Sequence, residues 1–283
     1  MILVFGKTGQ VATELQSLVP DAQFACRADA DLTEPAACAA LIEKIKPSAV
    51  INAAAYTAVD KAEDDEATAA LVNGAAPAAM AKACASLDIP FVHISTDYVF
   101  DGSGNTPFVT DHPTAPLGAY GRTKRDGENG VRAAGGRFAI LRTSWVFSAH
   151  GNNFLKTMLR LGTEREVLTI VADQVGGPTP ARTIAAACLK IASQLESAPA
   201  KSGTYHFSGA PDVSWADFAR DIFKQAGLTC EVTDIPTIAY PTPEKRPANS
   251  RVDCSSTRET FGIERPDWRR DVLTIVNELK DVS

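Results

Sequence analysis

Short apolar runs alternate along the chain with longer segments whose apolar residues recur every three or four positions. The first run, Met1 to Phe5, ends in a glycine turn, and Val11, Leu15 and Leu18 then share one face of a predicted helix. The alternation predicts further elements at residues 23–26, 35–46, 49–54, 67–87, 91–96, 121–134 and 138–142. Several of the strands are apolar throughout, which predicts burial on both faces, as in a parallel sheet covered by helices.

The predicted fold class is therefore α/β, with a Rossmann-like doubly wound parallel sheet and a smaller C-terminal lobe. We assign residues 1–146 to the sheet domain. Residues 147–283 are assigned mainly to the lobe, because the order loosens there and helices near 153–161 and 214–226 mix with short strands. A further helix near 183–195 is expected to return to the main sheet.

Composition and charge exclude several classes of function. The 283 residues carry a net charge of −6, so no summed positive field favours nucleic acid or an anionic membrane as a partner. Six scattered cysteines and four distant histidines predict reduced thiols and no metal site. The beginning of the chain lacks a cationic leader and no apolar run reaches membrane-spanning length, which predicts a soluble, cytoplasmic protein.

Two glycines mark the turn between the first strand and the first helix, in the spacing G-x-x-G-x-x-A from Gly6 to Ala12. Such a turn brings the backbone N–H groups of a helix N-terminus close to a pyrophosphate. Residues 1–146 are therefore predicted to be a dinucleotide-binding domain. The residues assigned to the cofactor here are Gly6, Thr8, Gly9, Gln10 and Val11. A phosphate-loop NTPase site is excluded, because its upstream glycine would fall at Met1.

The end of the second predicted strand bears on which dinucleotide binds. Arg27 lies where a ribose 2′-phosphate would need a cation, and Asp31 and Leu32 follow where an adenine edge would be held. This arrangement favours NADPH, with NADH as the alternative. For Arg27 the alternative is a solvated surface charge.

Tyr120 and Lys124 are four residues apart and so share one face of a predicted helix. A cation beside a phenol favours the phenolate, so Lys124 is expected to lower the pKa of Tyr120 toward the range for proton exchange with a carbonyl oxygen. Thr96 ends a buried strand at the edge where ligands bind, and would hydrogen-bond the same oxygen. The three residues predict a hydride-transfer site without a metal, the alternative being a surface pair on a helix.

Three segments together resemble the extended short-chain dehydrogenases/reductases and, among them, the dTDP-4-dehydrorhamnose reductases. These segments are Gly6 to Ala12, residues 95–102 and Tyr120-x-x-x-Lys124, with further typical stretches at 52–63, 142–147, 152–154, 173–174 and 240–250. The resemblance runs nearly end to end. It implies reduction of the 4-keto group of dTDP-4-dehydro-β-L-rhamnose by NADPH, the last step of dTDP-L-rhamnose synthesis, with residues 147–283 mainly a sugar-nucleotide lobe.

The resemblance also implies a role for individual residues. Tyr120 would donate the proton, Lys124 would tune it and hold the nicotinamide ribose, and Thr96 would orient the keto oxygen. The cofactor site would extend to Ala53, Ala54 and Ala55. The dTDP-sugar would be held by Asp97, Tyr98, Trp145, Asn153, Gln174 and Arg246. For Trp145 the alternative is a core aromatic.

One departure from the family bears on assembly. Some members dimerise through a magnesium site built from glutamates, and Glu14 and Glu278 fall near two of those positions. Arg182 falls at the third, where its charge opposes a divalent cation. We therefore expect no magnesium site, and either a monomer or a weak homodimer.

Other functions of the same fold fit the residues less well or stay open. A sugar-nucleotide dehydratase needs a carboxylic acid directly after the Thr-Asp pair, where this chain has Tyr98. An epimerase/reductase also needs a base at the epimerised carbon, commonly cysteine with histidine, and no cysteine lies in the predicted pocket segments. Two alternatives remain open, which are a reductase of another 4-keto sugar nucleotide and a non-catalytic, nucleotide-binding regulatory subunit.

Overall fold

The computed structural model describes residues 1–281. Its strands are β1 (Ile2–Phe5), β2 (Gln23–Ala25), β3 (Ala49–Asn52), β4 (Phe91–Thr96), β5 (Phe138–Thr143), β6 (Val146–Phe147), β7 (Val167–Val171), β8 (Val175–Gly176), β9 (Thr179–Pro180), β10 (Gly203–His206), β11 (Val213–Ser214), β12 (Glu231–Ile235) and β13 (Asn249–Ser250). Its helices are α1 (Gln10–Leu18), α2 (Pro35–Ile45), α3 (Val59–Ala62), α4 (Glu66–Ala70), α5 (Ala76–Ser86), α6 (Ala119–Ala134), α7 (Phe154–Glu164), α8 (Ala181–Ser197), α9 (Trp215–Ala226), α10 (Ser255–Phe261) and α11 (Trp268–Asp281). A π-helical segment, Leu71–Ala75, joins α4 to α5.

Six of the strands form one parallel sheet in the order β10-β5-β4-β3-β1-β2. β2 pairs with one side of β1 and β3 pairs with the other, so the strand order reverses between β1 and β3. Ligands bind at such a reversal, outside the carboxyl ends of the strands. The predicted α/β class with a Rossmann-like doubly wound parallel sheet is confirmed.

Helices cover both faces of this sheet. On one face α1 and α8 pack against the strands and bury Leu15 and Ile191. On the other face α2 and α5 bury Ile42 and Met80, beside α6. The chain beyond residue 146 thus supplies both a covering helix, α8, and the edge strand β10.

A second core lies outside the sheet. It is built by α7, α9 and α11, which bury Leu155, Phe218 and Val272 around Trp268. The parallel pair of β7 and β12 packs against it. Within residues 1–281, no helix is long and apolar enough to span a membrane.

Candidate active site

The turn after β1 forms the first part of the site. Gly6 has a φ of +112°, which favours glycine, and a Cβ there would lie 3.3 Å from the carbonyl carbon of Ala53. Gly9 precedes α1, and its carbonyl accepts the first helical hydrogen bond, from Thr13 N–H at 2.9 Å. The first N–H groups of a helix have no partner within it. This open turn fits a pyrophosphate placed against those donors.

Small residues continue the same edge of the sheet after β3. The N–H of Ala53 donates to the carbonyl of Phe5 at 3.0 Å, and the N–H of Ala54 donates to the side chain of Asn52 at 3.1 Å. Ala53, Ala54 and Ala55 are half-buried. The structure therefore brings this segment beside the glycine turn.

The cation expected after β2 is at the surface. The Arg27 side chain is 78% exposed and lies 3.4 Å from the carboxylate of Asp31. Asp31 also accepts the N–H of Thr33 at 2.9 Å, which fixes the turn that carries Leu32. Arg27 is thus held at the end of β2 with its guanidinium accessible to a phosphate.

Thr96 and Tyr120 come together because α6 begins against the turn that follows β4. Gly121 allows this approach, since a Cβ there would lie 2.2 Å from the carbonyl oxygen of Tyr98. The rings of Tyr98 and Tyr120 meet edge to face with centroids 5.5 Å apart. The Thr96 hydroxyl accepts the N–H of Tyr98 at 3.2 Å and donates to Asp97 at 3.1 Å.

The expectation that Lys124 lowers the pKa of Tyr120 is wrong. Burial raises the pKa of Tyr120 above its usual value, and the hydrogen bond with Thr96 lowers it by less. The Lys124 ammonium is directed elsewhere, donating to the carbonyl of Ile94 at 2.7 Å. Tyr120 therefore stays protonated through the physiological range, which suits a proton donor.

Lys124 is itself perturbed by burial. Its side chain is fully enclosed, and this burial lowers its pKa to about 8, against a smaller raising effect of the Glu128 charge. Its Nζ lies 3.4 Å from Nε2 of His93. Lys124 thus loses its charge at a lower pH than a solvated lysine does.

A buried ion pair locks α6 onto the sheet. Glu128, one turn beyond Lys124, accepts hydrogen bonds from Arg142 at 2.8 and 2.7 Å and from the Ser95 hydroxyl at 2.6 Å. Burial alone would raise the pKa of Glu128, but Arg142 and Ser95 hold it below its usual value. The pair fixes α6 relative to β4 and β5. The sequence analysis assigned neither residue this role, although Arg142 opens one of the stretches typical of the family.

Asn73 is a second positioning residue that sequence reasoning missed. Its amide accepts the N–H of Tyr56 at 2.8 Å and donates to the Tyr56 carbonyl at 3.1 Å and to the Thr123 hydroxyl at 3.2 Å. It lies in the π-helical segment, and such segments occur often at functional sites. An asparagine within an alanine-rich helical stretch is a signal that was available.

Of the residues predicted to hold the sugar, Asp97 is buried at the end of β4. Its Oδ2 makes no close hydrogen bond within residues 1–281, and burial raises its pKa to about 6 against smaller lowering effects of the Ser250 and Thr96 hydroxyls. Tyr98 is adjacent, and a hydrogen bond from Arg246 acts on its hydroxyl. Arg246 also donates to Asp60 at 2.7 Å. These three predicted residues are therefore neighbours, and Asp97 has capacity for a ligand.

Trp145 lies on the lobe side of the site in a strained conformation. Its φ is +49°, which is uncommon for a bulky residue and typical of functional positions. Its ring stacks on Trp215 with centroids 3.5 Å apart, and Trp215 was not predicted from the sequence. Gln174 is buried on the same side and donates to Thr237 at 3.1 Å. Trp145 is thus held by a stacked partner and is only half-buried.

Asn153 joins the two parts of the molecule. Its side-chain oxygen caps α7 by accepting the N–H of Lys156 at 3.1 Å. Its side-chain nitrogen donates to the side-chain oxygen of Gln10 at 2.9 Å. Gln10 is the first residue of α1, so Asn153 lies at the N-terminus that faces the pyrophosphate position. Its predicted contact with the nucleotide stays a prediction.

The glutamates near the family's magnesium position line one cleft. Glu14, Arg182 and Glu278 meet there with Asp271. Burial raises the pKa of Glu14, while the charge of Arg182 lowers it. Over the described part of the chain, no three His, Cys, Asp or Glu side chains are grouped to hold a metal ion.

Glu244 is a buried carboxyl that the sequence did not reveal. It is 1% exposed, and neither carboxyl oxygen has a hydrogen-bond partner within residues 1–281. Burial raises its pKa to about 7, with Arg246 lowering it and Glu63 raising it. Its negative charge also raises the pKa of Tyr120.

We expect Glu244→Gln to stabilise the protein at alkaline pH. Since the folded-state pKa is raised, the wild-type protein loses stability as pH rises from the unfolded-state pKa of 4.5 toward 7. Urea unfolding should show the variant more stable by about 2 kcal/mol at pH ~8 and nearly equal at pH ~4. Glu164→Gln, in an exposed pair with Arg160, serves as the control. Equal stability of the wild type and Glu244→Gln at both pH values would refute the assignment.

Comparison with known proteins shows that nearly the whole chain is similar to one family. The model of the RmlD substrate binding domain family matches residues 1–281. A dTDP-4-dehydrorhamnose reductase of Burkholderia thailandensis is 47% identical over 98% of each chain. The crystal structure of a dTDP-4-dehydrorhamnose reductase from Clostridium acetobutylicum has a TM-score of 0.92 at 35% identity and 99% coverage of each chain. The Bacillus anthracis reductase, solved in complex with NADP, has a TM-score of 0.90 at 32% identity and 98% coverage.

Proposed function

The chain belongs to the RmlD substrate binding domain family, and we propose that it reduces the 4-keto group of dTDP-4-dehydro-β-L-rhamnose to give dTDP-L-rhamnose, with NADPH as the reductant. The family resemblance identified from the sequence is confirmed. The observation that carries the proposal is the convergence of Thr96 and Tyr120, with Lys124 one turn along α6, at the carboxyl edge of a sheet that also carries the glycine turn. A regulatory nucleotide-binding subunit has no need for this set.

The chain's own residues account for the proton in this reaction. The glycine turn from Gly6 to Ala12 would hold NADPH, which would supply the hydride. Tyr120 holds the proton that the keto oxygen needs, because burial keeps its phenol protonated. Thr96, hydrogen-bonded with Tyr120, orients the same oxygen. Lys124, one helical turn further along α6, is proposed to hold the nicotinamide ribose with its ammonium group.

The sugar nucleotide is proposed to lie between the sheet edge and the lobe. Asp97 and Tyr98 approach from the sheet, and Trp145, Gln174 and Arg246 from the segments beyond it. The unpartnered carboxyl oxygen of Asp97 supports this position. Asn153 is proposed to act at the diphosphate. Residues 1–146 would then serve mainly the dinucleotide and residues 147–283 mainly the sugar nucleotide.

We further propose a cytoplasmic enzyme that is a monomer or a weak homodimer without bound magnesium. The mixed charges of Glu14, Arg182 and Glu278 in one cleft support the absence of a metal. Size-exclusion chromatography with light scattering, run with Mg²⁺ and with a chelator, tests this point. A dimer that forms only with Mg²⁺ would contradict it.

The reaction is tested by following NADPH oxidation with dTDP-4-dehydro-β-L-rhamnose and with the substrate omitted. Oxidation that depends on this substrate is the expected result. The same assay with other 4-keto sugar nucleotides tests the alternative substrate class. If NADPH binds but none of these substrates is reduced, the proposed activity is wrong and a regulatory role gains support.

We expect Arg27→Ala to weaken binding of NADPH more than binding of NADH. The exposed guanidinium stands at the end of β2, where only NADPH carries the ribose 2′-phosphate. Loss of one such ionic contact should raise the Kd for NADPH by about tenfold. Fluorescence titration with both cofactors measures the ratio, and Arg160→Ala, far along α7, is the control. Equal effects on both cofactors would show that Arg27 does not contact the 2′-phosphate.

A further inference from the structure

Behind the catalytic lysine lies a buried chain of polar groups that the proposed reaction does not yet use. Asn52 ends β3, His93 lies in β4, and both are buried within the sheet. Nδ2 of Asn52 lies 3.1 Å from Nδ1 of His93, and Nε2 of His93 lies 3.4 Å from Nζ of Lys124. The histidine thus connects a fixed amide to the lysine.

The orientation of the Asn52 amide determines the tautomer of His93. The Asn52 oxygen accepts the N–H of Ala54 at 3.1 Å, so the amide nitrogen must face the histidine. An amide nitrogen only donates, and Nδ1 must therefore accept. Complete burial and the charge of Lys124 lower the pKa of His93 well below its usual value, which keeps the ring neutral. Its single proton is consequently on Nε2.

This tautomer directs an N–H donor at the lysine nitrogen. An ammonium group has only donors, whereas an uncharged amine has a lone pair that accepts. Lys124 already donates to the carbonyl of Ile94 at 2.7 Å. The contact with His93 therefore becomes a hydrogen bond when Lys124 gives up one proton.

Other ionisable groups near the lysine act differently. Glu128 on α6 favours the charged lysine, but its carboxylate is bound by Arg142 of β5. Asp97, beyond β4, is hydrogen-bonded to Thr96. Of these neighbours, His93 is the one in direct contact with Nζ.

We propose that His93, held by Asn52 with its proton on Nε2, is a positioning residue that orients Lys124 and favours its uncharged form. This role deepens the proposed function, because it sets the pH at which the lysine of that site loses its charge. The sequence analysis assigned neither residue a role, although Asn52 opens one of the stretches typical of the family.

The tautomer is measured directly by nitrogen NMR of the wild-type protein labelled in histidine. His93 should carry its proton on Nε2 from pH ~6 to ~9. His206 provides an internal contrast, because its Nδ1 faces the carbonyl of Asp253 at 3.1 Å and its Nε2 faces Arg142 at 3.3 Å, which requires the proton on Nδ1. A proton on Nδ1 of His93 would overturn the proposal. This measurement needs no turnover, so it stands or fails separately from the proposed activity.

The alkaline limb of the pH profile for kcat/KM tests the effect on Lys124. Asn52→Asp keeps the shape of the side chain, but its carboxylate accepts a hydrogen bond from Nδ1 of His93. The Nε2 lone pair of His93 then faces Lys124 and favours the charged lysine. The apparent pKa of the alkaline limb should therefore rise by about one pH unit. His93→Leu removes the Nε2–H donor and should also raise the apparent pKa of the alkaline limb. Val92→Ala, buried in the same strand, is the control and should leave the limb in place. If Asn52→Asp and His93→Leu are both active and neither shifts the alkaline limb of kcat/KM, the proposal is wrong. If these variants do not fold, the His93 tautomer measured by NMR in the wild-type protein decides whether the proposal holds.

Discussion

Tyr120→Phe should reduce turnover by about 10²- to 10⁴-fold, the range expected when a positioned acid is lost. The phenol is buried beside Thr96 and its pKa is raised, so under the proposed function it holds the proton that the keto oxygen requires. The phenylalanine ring preserves the packing against Tyr98. Steady-state rates of NADPH oxidation, together with a fluorescence titration of NADPH, measure the effect on turnover and on cofactor binding.

A second tyrosine provides the matched control for this variant. Tyr205 lies in β10, and its hydroxyl donates to the carbonyl of Lys201 at 2.6 Å, away from the site. Tyr205→Phe should leave kcat within about twofold of the wild type. If Tyr120→Phe and Tyr205→Phe have the same rate, Tyr120 is not the proton donor.

Arg142→Met should destabilise the protein by about 3–5 kcal/mol, the cost of leaving a buried charge without its partner. Arg142 donates two hydrogen bonds to Glu128, and both side chains are almost fully enclosed. The ion pair lowers the pKa of Glu128, so its contribution is present at neutral pH and lost as pH falls. Guanidinium unfolding should show the largest deficit near pH ~7 and a smaller one near pH ~4, where the unpaired Glu128 carboxyl of the variant is protonated.

Arg160→Met is the matched control, because Arg160 pairs with Glu164 on the exposed surface of α7. Its loss should cost less than about 0.5 kcal/mol. Similar losses for Arg142→Met and Arg160→Met would contradict the view that the buried pair holds α6 on the sheet. Restored stability in the double variant Arg142→Met/Glu128→Gln would support it, because no buried charge is then left unpaired. Arg132, which also contacts Glu128 at 3.3 Å, is partly exposed to solvent.

Much of the sheet domain followed from local patterns. The strand predicted at 91–96 has the bounds of β4, and the helix predicted from 121 to 134 begins two residues earlier as α6. These elements were predictable because buried parallel strands are apolar throughout and their covering helices have helical spacing. By contrast, α11 was missed although Val272, Ile275 and Val276 lie at helical spacing.

The contacts that organise the site depend on pairs far apart in sequence. Asn153 reaches Gln10 across 143 positions, and Arg246 reaches Asp60 across 186. Spacing on a helix placed Tyr120 and Lys124 on one face, but it gave no information on where the lysine nitrogen points. Burial of that nitrogen against the Ile94 carbonyl decided this, and burial is a property of the folded chain.

The most direct test of the proposed reaction uses NADPH carrying deuterium at the transferable position, with dTDP-4-dehydro-β-L-rhamnose as substrate, and locates the deuterium in the product by NMR. Reduction of the keto group by direct hydride transfer predicts dTDP-L-rhamnose with deuterium at C4 of the sugar. Oxidation of the cofactor without deuterium at C4, or deuterium at another carbon, would contradict that assignment.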